Sequence, residues 1–492
     1  MKINGVVVAC AWGVAVVLGY YGPGDFIATS TPQFEGVDTR LSSWSKIYAF
    51  AIAVLVAIAL TPLWARGIVG RDPHHPERRR TLIFAGTLVG GIAASAGAAA
   101  ARLIGWVTVS HPVVLGKPVR RTAKAVDEAW IGARIESYRR LGRTGFEVSD
   151  ISLGSGVIAA SAQGEAIARS AIERGVNYFD TSPDYADTGT EQILGRAIRG
   201  YRDRMFLATK FCTGAGHLPV GTSVADYIQT VEGSLQRLQT DYVDLVHIHA
   251  CDSVGRLMDE NVHEAFDRLR EQGKVRFLGF SSHTPNLIEV ANRAIESDRF
   301  DVMMLAYHHG GWPTLPELID RAAAADVGVV AMKTLKGAKH RRMKEFVGKK
   351  GAYSQAAFRW VLSNPSVSCL VVSFFDLQHV DEYIYASGKP LRAQDVALLT
   401  EYDGAIAGTH CLPHCGVCLS SCPVGLPVND VLRYRMYFED YGIEKVAMQK
   451  YARLETQADV CIGCAAPCAG SCPVDIAIQS RTQDAHRMLT LS

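Results

Sequence analysis

Between residue 137 and about residue 390, eight short apolar runs rich in β-branched residues alternate with amphipathic stretches. The runs are VSDISLGSG, NYFDTS, MFLATKF, VDLVHIHA, VRFLGFSS, DVMMLAY, GVVAMKT and CLVVSFF. Segments such as ADYIQTVEGSLQRL, ENVHEAFDRLREQ and LPELIDRAAAAD separate them and carry apolar residues at helical spacing. Eight strand–helix units over about 250 residues predict a closed parallel barrel. A doubly wound open sheet is the alternative, and the absence of a G-x-G-x-x-G turn after the first run counts against its dinucleotide-binding version.

Chemistry in such a barrel collects at the C-terminal ends of the strands. The second run ends in Asp180, with Tyr185 shortly after it, the third ends in Lys210, and the fourth in His249. Singly, these residues read as a helix cap, a rim charge and a core histidine. On three consecutive strand ends they make an acid site. A phenol is a poor acid near neutrality, with a reference pKa of about 10. An adjacent ammonium would lower that value, and a carboxylate would hold the ammonium in place. Tyr185 would then protonate a carbonyl oxygen that His249 orients.

The stretches YRRLGRTGFEVSDISLGSG, GVNYFDTSPDY, LATKF, QRLQTDYVDLVHIH and GKVRFLGFSSHT resemble the aldo-keto reductase family, in order and in register, over about 137 to 390. The resemblance implies the catalytic tetrad Asp180, Tyr185, Lys210 and His249, a small-molecule carbonyl or alcohol substrate, and NADP(H) as cofactor. Its cofactor contacts depart from the family's pattern. Ser281 and Ser282 stand where a Ser-Asn pair commonly holds the nicotinamide, and Ser373 at the eighth strand end is a third candidate contact. Met304 aligns with a usual glutamine and Met332 with a usual stacking tyrosine. The stretch VVSFFDLQHVDEY lacks a Lys or Arg for an adenosine 2′-phosphate.

Of twelve cysteines, eight lie between Cys411 and Cys472. They form two runs, CLPHCGVCLSSCPVG and CIGCAAPCAGSCPVD, each ending C-x3-C-P as bacterial ferredoxin motifs do. Two [4Fe–4S] clusters are the expectation. In two-cluster ferredoxins the fourth cysteine of each run serves the other cluster. By that logic Cys411, Cys415, Cys418 and Cys472 hold one cluster, and Cys461, Cys464, Cys468 and Cys422 the other. A zinc reading would use the C-x2-C pairs Cys415/Cys418 and Cys461/Cys464, and disulfides would also use an even number of cysteines. The segment between the runs reads as one or two amphipathic helices that pack on the barrel.

The first 110 residues differ in kind. VVVACAWGVAVVLGYYG, IYAFAIAVLVAIALTPLWA and TLIFAGTLVGGIAASAGAAAARLIGWVTV are apolar runs near the ~20 residues that cross a bilayer. Three transmembrane helices are expected. Positive charges on the two sides tally six against six, so they do not orient the chain. ERRR directly before the third run resembles a twin-arginine export signal; an ordinary arginine anchor is the alternative. Either places the arginines inside and the soluble part on the exported side, and only a miscounted helix would put it on the cytoplasmic side.

The expected architecture is therefore α/β: a (β/α)8 TIM barrel, preceded by three transmembrane helices and followed by a small ferredoxin-like iron–sulfur domain. The expected divisions are a membrane anchor over 1–110, a connector over 111–136, the barrel over 137–400 and the cluster domain over 401–492. A net charge of +2 offers no bulk attraction for nucleic acid. The combination points to a membrane-anchored oxidoreductase exchanging electrons between its substrate and a one-electron carrier or membrane redox partner. A catalytically silent barrel serving electron transfer or redox sensing is the alternative.

Overall fold

A computed structural model describes residues 127–490 other than 157, 159–162, 186–187, 337–351, 414 and 441–443. The three expected membrane helices and the arginine-led export segment lie outside the described residues. Among the described residues no helix is long and apolar enough to cross a membrane.

A hairpin of β1 (Tyr138–Arg140) and β2 (Glu147–Ser149) precedes the barrel. The barrel strands are β3 (Ile151–Gly154), β4 (Tyr178–Asp180), β5 (Phe206–Thr213), β7 (Val243–Ile248), β8 (Val275–Ser282), β9 (Val302–Ala306), β10 (Gly328–Met332) and β11 (Cys369–Ser373). Each pairs in parallel with its neighbours, and β3 pairs with both β4 and β11, which closes the ring. A short β6 (Gly216–His217) folds back antiparallel on β5. The expected closed barrel is thus observed. Its strands are buried on both faces, which is why they read as unbroken apolar runs rather than alternating ones.

The first apolar run does not form one strand. It breaks at Asp150, whose buried carboxylate accepts hydrogen bonds from Ser387 Oγ at 2.6 Å and Gly388 N at 2.9 Å. The part before the break becomes β2, and its Val148 joins Leu141 in a core inside the barrel with Tyr178, Phe206, Leu245, Met304 and Val330.

The outer layer comprises α1 (Gly164–Glu173), α2 (Gly189–Ala197), α3 (Val224–Leu238), α4 (Val254–Leu257), α5 (Glu260–Glu271), α6 (Leu287–Ser297), α7 (Leu315–Ala324), α8 (Tyr353–Leu362) and α9 (Leu377–Ile384). In α3, Ser223 caps the N-terminus by accepting from Asp226 N, and Gln239 ends the helix in the left-handed region. Between them Tyr227, Val231, Ser234, Leu235 and Leu238 fall on one face and pack toward the sheet. Replacing Ser223 by Ala would cost about 1 kcal/mol through the lost cap.

Helix α10 (Ala393–Ile406) runs across the expected boundary at 400. Its Leu399, Tyr402 and Ile406 pack with Tyr353, Ala356 and Ala357 of α8, so it belongs to the barrel's outer layer. Beyond it come α11 (Val428–Glu439), α12 (Glu444–Ala452) and α13 (Ile478–Leu489). The described residues beyond 406 form no strand. Likeness to a ferredoxin is therefore confined to the cysteine spacing: the apolar residues of this part follow helical periods. Val428, Val431, Ala447, Tyr451, Ile478, Ala485 and Leu489 form its core.

Candidate functional site

Strand register assembles the acid site. Asp180 pairs with Ala208 of β5, and the period of two then puts Lys210 on the same face, one step along. Lys210 Nζ donates to Asp180 Oδ1 at 2.7 Å and to the Thr181 carbonyl at 2.7 Å. The two side chains are only 1 % and 4 % exposed, so almost no water screens them. Burial opposes the Lys210 charge, but the Asp180 carboxylate and the Tyr185 phenol outweigh it and push the lysine above its usual range. Lys210 is firmly an ammonium.

Tyr185 lies in the loop after β4 with its ring centroid 4.9 Å from Lys210 Nζ. The sequence led us to expect a lowered phenol. The opposite holds: burial is the largest influence and raises Tyr185 above its usual value, Lys210 lowers it in part, and Asp180 and Asp184 raise it again. Near neutrality the residue is a loaded acid, not a phenolate.

His249 follows β7, edge-on to Tyr185 with centroids 6.0 Å apart. Burial and then Lys210 hold it well below the usual imidazole value, so it is neutral. Its Nδ1 lies 3.4 Å from Ser182 Oγ and 3.5 Å from Asp184 Oδ1. The structure thus brings together all four expected catalytic residues. It adds two that the sequence did not single out: Asp184, and His217 on β6, whose ring centroid is 4.5 Å from that of His249. Only the β5–β6 fold-back brings His217 over the strand ends. Beneath lies His247, fully buried with neither ring nitrogen hydrogen-bonded. Gly279 makes room for it, since a Cβ there would sit 2.6 Å from His247 Nδ1.

The expected dinucleotide contacts fare differently. Ser281 Oγ accepts from Ala250 N at 2.9 Å, and Ser282 Oγ donates to the Cys251 carbonyl at 2.9 Å. Both hydroxyls are engaged with the loop after β7. Met304 is buried in the apolar core inside the barrel, and Met332 packs against the same core. Ser373 is half-buried at the end of β11. Ser281, which only accepts, keeps its hydroxyl proton to offer, whereas Met304 and Met332 present no amide or ring to a nicotinamide.

The cysteine runs adopt one conformation twice. Cys418 (φ −82°, ψ −8°) and Cys468 (φ −77°, ψ −10°) each open a single helical turn. Cys422 (ψ 115°) and Cys472 (ψ 118°) close it in extended geometry. Helices α11 and α13 then begin at equivalent positions. Ser421 Oγ and Ser471 Oγ meet at 2.8 Å, joining the two turns. None of the eight forms a disulfide among the described residues. Burial first, then Cys415 and Cys472, raise the Cys418 thiol to about 11. Burial, then Cys464 and Cys422 among the nearby thiols, raise that of Cys461. Thr482 Oγ1 donates to Cys461 Sγ at 3.2 Å, Leu426 N to Cys422 Sγ at 3.4 Å, and Ala466 N to Cys464 Sγ at 3.4 Å. Four cysteines stand outside the two runs. Cys212, Cys251 and Cys369 are buried, and Cys10 lies outside the described residues.

A closed parallel barrel with a buried Asp–Lys pair, a tyrosine acid and a neutral histidine at its strand ends is the framework of an oxidoreductase. Residues 152–350 match the sequence model of the Aldo/keto reductase family. L-galactose dehydrogenase of Arabidopsis thaliana is 27 % identical over 282 residues, covering 50 % of this chain and 87 % of its own length. Aldo-keto reductase YhdN of Bacillus subtilis is 35 % identical over 157 residues, covering 30 % of this chain and 46 % of its own. A solved aldo/keto reductase from Klebsiella pneumoniae, in complex with NADP and acetate, covers 55 % of this chain and 95 % of its own, with 24 % identity and a TM-score of 0.45.

Proposed function

We propose that this protein interconverts a small carbonyl compound and its alcohol at the tetrad, exchanging electrons through two [4Fe–4S] clusters held by its C-terminal cysteines. The observation that carries the reading is the buried Lys210 ammonium, fixed by Asp180 and facing Tyr185. In the reducing direction Tyr185 donates its proton to the substrate oxygen. Lys210 stabilises the phenolate left behind, and Asp180 keeps the ammonium in place. His249, neutral and held through Nδ1 by Ser182 and Asp184, steers the oxygen toward the phenol.

Support for clusters comes from the donor set. Two runs of four cysteines take the same backbone conformation, and backbone and hydroxyl donors aim at three of the sulfurs. Among the described residues no three of these sulfurs lie within 4.8 Å of one another. A single tetrahedral zinc needs about 3.8 Å between sulfurs, given its ~2.3 Å bonds. When bound, two clusters would supply one electron each, and with the Tyr185 proton on oxygen and a second proton from solvent on carbon the two-electron, two-proton change from carbonyl to alcohol balances. No step is routed through a dinucleotide, because Met304 and Met332 offer neither an amide nor an aromatic ring to hold a nicotinamide.

The N-terminal apolar runs are the proposed membrane anchor, with the barrel and cluster domain on the exported side and a one-electron carrier or membrane redox partner supplying electrons. Tyr185→Phe tests the catalytic half. With iron content unchanged, loss of carbonyl turnover supports the reading, and unchanged turnover overturns it.

A further inference from the structure

Where the C-terminal helices meet the barrel rim, a cavity of about 270 Å³ remains between the loop after β10 and helices α11 and α13. Lys333 and Lys336 line it from the barrel, Arg433 and Arg435 from α11, and Arg481 from α13; its two carboxylates, Glu439 and Asp440, are already engaged by Arg435 and His410. None of the tetrad lines it. Two of these cations are already answered: Lys336 by Asp403 at 2.5 Å and Arg435 by Glu439 at 3.0 Å. Lys333, Arg433 and Arg481 have no carboxylate in ion-pair range among the described residues. Arg433 directs one N–H to His283 Nδ1 at 3.3 Å, and its Nε is buried without a partner.

Converging cations without a counter-charge are costly, because each loses hydration and repels the others. The cost registers at Lys333, which burial, then Arg433, then Lys450 push down to about 8. Lys333 also holds a left-handed backbone (φ 58°) that an L-residue rarely adopts. That conformation turns the chain at the cavity wall. Elsewhere on the rim the two parts pack tightly: a Cβ on Gly416 would lie 2.5 Å from Pro285 Cβ. The cavity is thus a gap retained in an otherwise close interface.

We propose that this cavity binds a small anion bearing a carboxylate or phosphate group, held between Lys333 of the barrel and Arg433 and Arg481 of the cysteine-bearing domain. An anion there satisfies the Arg433 Nε–H, relieves the repulsion at Lys333 and bridges the two parts of the molecule. The inference stands on the cavity and its charges, and it holds whether or not the tetrad turns over a carbonyl.

The test uses the full chain, purified anaerobically, with inorganic phosphate and with malonate as probes and sodium chloride at matched ionic strength as control. Calorimetry and the thermal midpoint are read together. Saturable binding of either probe with a raised midpoint, weakened about tenfold or more in both Lys333→Gln and Arg433→Gln, is the expected result. Lys333→Arg should retain binding, as should Arg487→Gln, an exposed change outside the cavity. Phosphate alone binding assigns a phosphate-bearing ligand, and malonate alone a carboxylate. No saturable effect beyond chloride overturns the proposal, as does binding that both glutamine variants leave unchanged. Displacement of bound phosphate by NADP⁺ also overturns it, since the cavity would then be part of a dinucleotide site.

Discussion

Lys210→Met should destabilise the barrel far more than its contact list implies. The ammonium it removes is 1 % exposed, and the carboxylate it abandons is 4 % exposed at 2.7 Å. Asp180 Oδ2 already lacks a hydrogen-bond partner, so after the substitution the whole carboxylate is stranded. Breaking a buried pair by removing one partner costs about 3–5 kcal/mol, most of it for the uncompensated charge left behind. Asp180→Asn should cost a similar amount by stranding the lysine. The double variant Asp180→Asn/Lys210→Met removes both charges and should recover at least about 2 kcal/mol relative to the sum of the singles. Urea denaturation of all four proteins closes the cycle. Additivity within about 0.5 kcal/mol would mean the two groups do not interact as described and would refute the reasoning.

Buried neutral histidines set an acid limit on stability. His247, His249 and His283 are all held well below 6.5, in each case chiefly by burial. Their folded values lie below the unfolded one, so stability is full above 6.5 and falls as the pH drops below it, by up to about 1.4 kcal/mol per pH unit for each. Denaturation midpoints at pH 7.5 and 5.5 check this, and His247→Asn should flatten the dependence. Ligand exchange between the cysteine runs makes Cys422→Ala equivalent to Cys461→Ala: each should leave about half the iron and the same electron paramagnetic resonance signal. Cys472→Ala should instead match Cys411→Ala. Ser182→Ala, which removes a partner of His249 Nδ1, should weaken substrate orientation, seen as a lower kcat with the cysteine-bound iron unchanged.

The barrel was legible because eight strands buried on both faces leave unbroken apolar runs that no surface element would carry. Asp180, Lys210 and His249 were legible for a related reason: they stand at the ends of such runs, where a charge is conspicuous. Tyr185 was placed correctly, but the sign of its shift was not, since the sequence shows a neighbouring lysine and hides the burial that outweighs it. Asp184 and His217 escaped notice because loop geometry, not strand periodicity, brings them to His249. The boundary at 400 fell inside α10, whose apolar face continues past Gly404 to Ile406. The cationic cavity was beyond reach: Lys333 and Arg433 are a hundred residues apart, and no local pattern links them.

The most direct test of the account mixes dithionite-reduced full-length protein with a panel of small aldehydes, ketones and 2-oxo acids under anaerobic conditions, following cluster absorbance. The account predicts that at least one carbonyl reoxidises the clusters in the wild type, and that Tyr185→Phe abolishes this at equal iron content. Reoxidation at the same rate in both proteins, or by no member of the panel, would contradict it.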